Sequence, residues 1–267
     1  VRFFFSRRWI LFAIAVVVLA YACVWLGQWQ FRRLAETKAQ NAVVTHNLSA
    51  DPVPVDSVLA VGRPVSSAHE WQRVRATGTY VDDQTVVVRY QTRNGGQGID
   101  AVTPLRTGTG AALLVDRGWL ATDNTASTHE KVPPAPSGKV TVVGWIRVNA
   151  TGSAAKVEDR STRAVSSAEI APTLPFRVYG GFVDVQSQSP APASPLAHAE
   201  MPDLGNGPHF FYGVQWWFFG ALAVFGFFYL AWDERRKKAP DHTEGDDEAA
   251  NTRADTDADV AAQDRVP

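Results

Sequence analysis

Two long runs without a charged side chain dominate the pattern of apolar and polar positions along this chain. The first is Trp9 to Leu26, WILFAIAVVVLAYACVWL, and the second is Phe210 to Trp232, FFYGVQWWFFGALAVFGFFYLAW. At ~1.5 Å per residue the second makes a helix of about 34 Å, enough to cross a hydrocarbon core with some tilt. Between them lie short β-rich segments: WQRVRATGTY from Trp71, TVVVRY from Thr85, GIDAVTPLRT from Gly98, AALLVDRGWL from Ala111 and KVTVVGWIRV from Lys139. Turn formers separate them at Asp82-Asp83, Asn94-Gly95-Gly96 and Gly108-Thr109-Gly110. Without long amphipathic helices in between, this spacing predicts a mostly antiparallel sheet or partly closed barrel. One helical turn is expected around Asp56 to Leu59. Ser166-Ser167-Ala168-Glu169 fits a capping box and a short helix before Pro172, and Arg177 to Gln186 reads as the last strand.

The predicted fold class is therefore a membrane protein, with two transmembrane α-helices flanking an exported, mostly antiparallel β-rich (α+β) domain. Its expected segments are a basic N-terminus (1–8), a first span (9–26), the β-rich domain (27–186), a proline-rich connector (187–209), a second span (210–232), and a basic block with an acidic tail (233–267). The connector should be extended or poorly ordered. Asp123 to Gly138, with Pro133, Pro134 and Pro136, reads as a long surface loop. Beyond Lys238 the chain carries nine Asp/Glu against two Arg and no aromatic residue, a composition that predicts disorder. Ala20-Tyr21-Ala22 resembles a signal cleavage site and Cys23 a lipoprotein signal, but the apolar run continues through Val24, Trp25 and Leu26, which predicts an uncleaved anchor.

Charge sets the expected orientation. Arg235, Arg236, Lys237 and Lys238 follow the second span, and no Lys or Arg lies within the twenty residues before it. Both termini are then cytoplasmic and the central domain lies on the outer face of a bacterial cell membrane. The formal net charge of -1 excludes a globally basic nucleic-acid binder.

Candidate chemistry is sparse. The sole cysteine sits inside the first span, so there is no disulfide framework and no CxxC pair; GxSxG, HExxH and Walker motifs are absent from the sequence. His46, His69, His129 and His198 are widely spaced in polar surroundings and read as surface histidines. Asp116-Arg117 reads as an ion pair closing a strand. What remains is His209, at the mouth of the aromatic second span. At ~100° per residue, His209, Tyr212, Gly213, Trp216, Gly220, Ala223 and Phe227 share one helix face. The bland alternative is an interfacial aromatic belt with His209 among lipid headgroups. A continuing first helix places Trp25, Gln28, Trp29 and Arg32 on one side, with Arg33 close by, as a cationic aromatic shelf or as lipid anchors.

Five pieces in order carry a family resemblance: LGQWQFRRLAETK at 26–38, RATGTY at 75–80, VDRGWL at 115–120, GWIR at 144–147 and HFFYGVQWW at 209–217. The chain resembles the surfeit-locus family of cytochrome c oxidase assembly factors, in a bacterial form, from Trp9 to Trp232. The resemblance implies two membrane helices around an exported β-rich domain, no enzymatic activity, and a part in maturing the haem-bearing catalytic subunit of a haem–copper oxidase. That subunit and other oxidase assembly factors are the implied partners. It also implies haem a as a cofactor, with His209 as its iron ligand. Tyr212, Trp216 and Trp29 would flank the ring, and Arg32 or Arg33 would pair with its propionates. The alternative is a haem-free chaperone that holds nascent oxidase helices. Pro208 and Gln215 depart from the family pattern, and Gly78 and Gly118 suit a bulge or close backbone contact.

The expected orientation is tested by labelling. A cysteine replacing Ser137 should react with a membrane-impermeant maleimide in intact cells, and one replacing Thr243 only after permeabilisation; the reverse pattern means the opposite orientation.

Overall fold

The computed structural model describes residues 6–123 and 131–237. The acidic tail, Lys238, His129 and about half of the expected loop from Asp123 lie outside the described residues. In chain order the main elements are α1 (Arg7–Ser49), β1 (Val53–Pro54), β2 (Arg73–Tyr80), β3 (Val86–Arg93), β4 (Gly96–Thr107), β5 (Ala112–Ala121), β6 (Lys139–Arg147), β7 (Ser161–Thr162), α2 (Ser167–Ile170), β8 (Phe182–Ser189) and α3 (His209–Lys237). They fall into two compact units. One comprises Val1–Ala35 with Gly207–Pro267, the other Glu36–Asn206.

In the second unit, strand order β2-β6-β8-β5-β4 closes on itself through pairing of β2 with β4, giving a five-stranded barrel; β1, β3 and β7 extend it. The pairings are antiparallel except β1–β2, β3–β7 and β5–β8. Alternation does the sorting. In RVRATGTY, every second residue of β2 turns inward, and Val74, Ala76 and Tyr80 join Leu105, Leu113, Val115, Val140, Val142, Ile146, Val183 and Val185 in the barrel core. The other faces of β4 and β5 are also covered. Val86, Val88, Val102 and Leu114 pack beneath Val165, Ile170 and Val178 in a second core outside the barrel. Gly78 sits at the closure, where β2 meets Thr107 on one side and Val140 on the other. A Cβ there would lie 2.2 Å from the Arg106 carbonyl oxygen, so only glycine allows that approach.

The first helix continues past the span's end at Leu26, as the shelf of Trp25, Gln28, Trp29 and Arg32 required, and runs 43 residues, because Arg7–Ser49 contains no proline and a single glycine; it ends just before Asp51-Pro52. Several expectations are corrected. The last strand is Phe182–Ser189 rather than 177–186. The helical turn before Pro172 exists, but Ser166 makes no side-chain cap. Asn149 Oδ1 accepts from the Ser167 N–H and hydroxyl instead. The connector is irregular yet anchored. Trp119 and Ala197 exchange backbone hydrogen bonds, Arg93 donates to the Ala197 and His198 carbonyls, and Asn41 donates to Leu204 O.

Asp116 and Arg117 are not an ion pair. Successive strand residues point to opposite faces. Arg117 reaches Asp82 (3.5 Å) and donates to the Pro133 and Pro134 carbonyls, while Asp116 enters a buried row of charge. Asp116 on β5 stands opposite Asp184 on β8 in their parallel register. Asp184 binds Arg147 of β6 at 2.7 Å, and Asp100 of β4 binds Arg93 of β3 at 2.8 Å. The guanidinium of Arg147 stacks 4.0 Å over the Trp71 ring and lies 3.5 Å from Glu70. Arg163 and Glu200 line the same polar cavity of about 370 Å³. Two arginines thus serve three buried carboxylates, and Asp116 accepts a hydrogen bond from the Gly118 N–H without a cation of its own among the described residues.

Burial pushes all three carboxyls up. Asp100 rises to about 6 despite Arg93, Asp184 rises despite Arg147, and Asp116 rises well above the usual range because burial and both neighbouring carboxylates act together. A raised folded value means the folded state holds protons that the unfolded chain has released. This contribution is complete below pH ~4 and is lost as pH rises through the folded values. At ~1.36 kcal/mol per pH unit between the ordinary 3.8 and about 6, Asp100 alone contributes roughly 3 kcal/mol. The full-length protein in detergent should therefore lose stability between pH 4 and 6 and continue to lose it above, read by near-UV circular dichroism in denaturant. Asp116→Asn, which keeps an acceptor for Gly118 but no ionisable proton, should flatten the slope above pH 6 and stabilise the domain at pH 8.

Candidate functional site

The helical unit is an antiparallel pair. Phe12 near the start of α1 meets Phe227 near the end of α3 (5.5 Å between centroids), and Phe31 meets Phe210 (6.1 Å) and Trp217 (5.0 Å). On α3 the seam runs Phe210, Gly213, Trp217, Gly220, Phe227, with Ala231 buried beyond, following the three-four alternation of a left-handed pair. On α1 it runs Ala20, Cys23, Gly27, Phe31. Glycine makes the approach possible. A Cβ on Gly27 would stand 2.3 Å from the Trp217 indole, one on Gly213 2.8 Å from the Phe31 ring, and one on Gly220 3.1 Å from Cys23 Cβ.

The face expected from the sequence divides accordingly. Gly213, Gly220 and Phe227 belong to the seam, while His209, Tyr212 and Trp216 flank it; Trp217, although half exposed, is the tryptophan that meets α1, at Phe31 and Gly27. His209 is the first residue of α3, and the Pro208 carbonyl accepts the Tyr212 N–H at 3.1 Å, so Pro208 starts the helix. Half-buried, His209 is held across the seam: its Nδ1 lies 2.8 Å from Oε1 of Gln30 on α1. Its other edge faces Gly207, whose φ is +63°; a Cβ there would sit 3.3 Å from His209 Cδ2 and 3.4 Å from Nε2. A side chain at 207 would crowd that edge, and glycine avoids this.

The other expected residues distribute around α1. Arg33, Trp29 and Arg32 are turned ~60°, ~100° and ~160° from Gln30 around α1. Arg33 sits three residues, ~4.5 Å, further along the axis on the His209 flank. Trp29, Arg32 and Arg33 are all exposed, and by helical phase Trp29 and Arg32 turn further from Gln30 than Arg33 does. On the opposite flank, Ala20, Val24, Trp217, Gly220, Ala221 and Phe225 line an apolar groove of about 620 Å³. Gly220 is eleven residues from His209, ~16 Å along the helix, so groove and histidine are separate features. Among the described residues no cluster of three or more His, Cys, Asp or Glu is arranged to hold a metal. His69 Nδ1 is 2.8 Å from Gln72 Oε1, and His46 and His198 are exposed.

Gln30 and Gly207 were not singled out by the sequence, and Trp217 entered only as part of an interfacial aromatic belt. A trace of Gln30 was there: an amide between Gly27 and Phe31, at the edge of an apolar run, needs a polar partner.

The residues fit a planar iron-bearing group in part. An imidazole with one nitrogen hydrogen-bonded and the other beside a glycine would suit an iron ligand, and a guanidinium on the same flank would suit a carboxylate.

Both long helices are apolar enough to cross a membrane. With a closed barrel in the chain between them, they define a class: two-span membrane proteins carrying a β-barrel domain between the spans. The chain belongs to the SURF1 family, whose pattern it matches over residues 17–221. An uncharacterised SURF1-like protein of Mycobacterium tuberculosis is 29% identical over 247 residues, covering 89% of this chain and 90% of that protein. A SURF1-like protein of Monosiga brevicollis is 30% identical over 151 residues, 52% of this chain and 54% of its own. The cytochrome oxidase assembly protein SHY1 of Saccharomyces cerevisiae is 28% identical over 103 residues, 38% of this chain and 26% of its own.

Proposed function

We propose that this protein is a non-catalytic membrane assembly factor for a haem–copper cytochrome c oxidase, that it assists delivery of haem a to the catalytic subunit, and that its barrel lies outside the cytoplasm. Family membership and the printed role of the yeast relative support the oxidase part. The basic residues Arg235, Arg236 and Lys237 at the end of α3 support cytoplasmic termini. The observation that carries the haem part is the setting of His209, hydrogen-bonded at Nδ1 with a glycine, Gly207, beside Nε2. When bound, haem a would supply a ligand-accepting iron and two carboxylates. His209 would offer the imidazole nitrogen, Trp216 and Tyr212 aromatic surface on the same flank, and Arg33, rather than Arg32, would pair with a propionate.

One observation favours the haem-free chaperone. Phe211, Phe218, Phe225 and Trp232 recur every seven residues on the outward face of α3 and are more than half exposed, a stripe suited to packing against another membrane helix. The absorption spectrum of protein purified from cells making haem a separates the two readings. His209→Ala should reduce co-purifying haem at least tenfold, Arg33→Ala should weaken retention several-fold, and Arg32→Ala should leave it near normal. All three should insert normally, because none alters the apolar runs. Unchanged haem in His209→Ala gives the function to the helix-holding chaperone.

A further inference from the structure

We infer that Gln30 is a positioning residue that sets the tautomer of His209, keeping the imidazole proton on Nδ1 and leaving Nε2 as the lone-pair nitrogen. The use of that nitrogen for iron rests on the function proposed above; the tautomer itself does not.

The chemistry is short. With Oε1 of Gln30 facing Nδ1 at 2.8 Å, the amide oxygen is the acceptor, and this orientation assigns the proton to Nδ1. Imidazole in water favours the proton on the other nitrogen, Nε2, so an Nδ1-protonated ring needs a partner to hold it. Here the partner comes from 179 positions away in the chain. Its place is not left to chance. Gln30 lies between Gly27, which seats the Trp217 indole, and Phe31, which packs on Gly213, Phe210 and Trp217, so the seam fixes both its azimuth and its depth. At the edge of an apolar span the amide is costly without a hydrogen bond, and His209 supplies one.

Gly207 gives a second, independent observation on the same ring. With φ at +63° and a would-be Cβ only 3.4 Å from Nε2, this position both favours glycine and keeps side-chain atoms off the nitrogen that Gln30 leaves unprotonated. One edge of the ring is held by Gln30, and a glycine lies beside the other. Metal-binding histidines are commonly set in this way, by a hydrogen bond on the nitrogen that does not face the metal.

The test uses the full chain, free of haem, in lipid nanodiscs at pH 8, with 15N-labelled histidine; His209→Ala identifies the His209 signals among those of the other histidines. Wild type should show Nδ1 protonated and Nε2 bare. Gln30→Leu, which keeps an apolar side chain beside the seam, should convert the majority of the ring to the Nε2-protonated form. Gln30→Glu, which still accepts, should retain the Nδ1-protonated form. An Nε2-protonated ring in wild type would mean that the amide nitrogen faces the histidine, and would overturn the inference. So would a tautomer unchanged by Gln30→Leu. Haem reading is a separate arm: with haem bound, Gln30→Glu should lower the iron midpoint potential relative to wild type, because a carboxylate partner makes the imidazole a stronger donor. If the protein takes up no haem, the proposed function fails while the tautomer result stands.

Discussion

Close approach of two apolar helices is the constraint on which the candidate site depends. In a bilayer the lipid tails offer apolar side chains as good an environment as a neighbouring helix, so pairing must come from fit and from polar contacts. Gly27, Gly213 and Gly220 provide the fit by removing the Cβ atoms that would strike Trp217, Phe31 and Cys23. The polar contact is His209 with Gln30, at the end of the seam. Each depends on the other: the glycines bring the backbones near enough for a glutamine to span the gap, and the hydrogen bond fixes the ring at that level.

The barrel meets a different problem with the same economy of means. Five strands close a small interior, and a second core grows on the outer faces of β4, β5 and β8 beneath the segment around Val165, Ile170 and Val178. Covering that outer face also covers Asp100, Asp116 and Asp184, residues that alternation assigns to it. Arg93 and Arg147 compensate two of the three, and a proton remains the cheapest partner for the third. Buried ionic groups of this kind are weak evidence for stability, since desolvation offsets much of the attraction. Their consequence is a domain whose stability responds to pH.

Much of this was legible in the chain. Two charge-free runs, strands at even spacing, the turns at Asn94-Gly95 and Gly108-Thr109-Gly110, and the close-contact glycines Gly78 and Gly118 are local properties, readable because side-chain periodicity and backbone sterics act over a few residues. His209 stood out for the same reason, as a polar residue at the mouth of an apolar helix. Gln30 did not, because its phase on α1 acquires meaning only when α3 is placed against it. The helix face chosen by phase alone mixed the seam with its flank, since ~100° periodicity groups residues without saying which side meets a partner.

The sequence by itself determined the membrane class, the β-rich middle, the family resemblance and the histidine, all of which follow from composition and short-range pattern. Tertiary structure decided what pairs with what. It closed the sheet through β2 and β4, separated Asp116 from Arg117, tied the connector to Trp119 and Arg93, and set Gln30 against His209. The reason is physical. Partners 104 and 179 residues apart are selected by the packing of whole elements, and no local window of the chain contains both sides of such a contact.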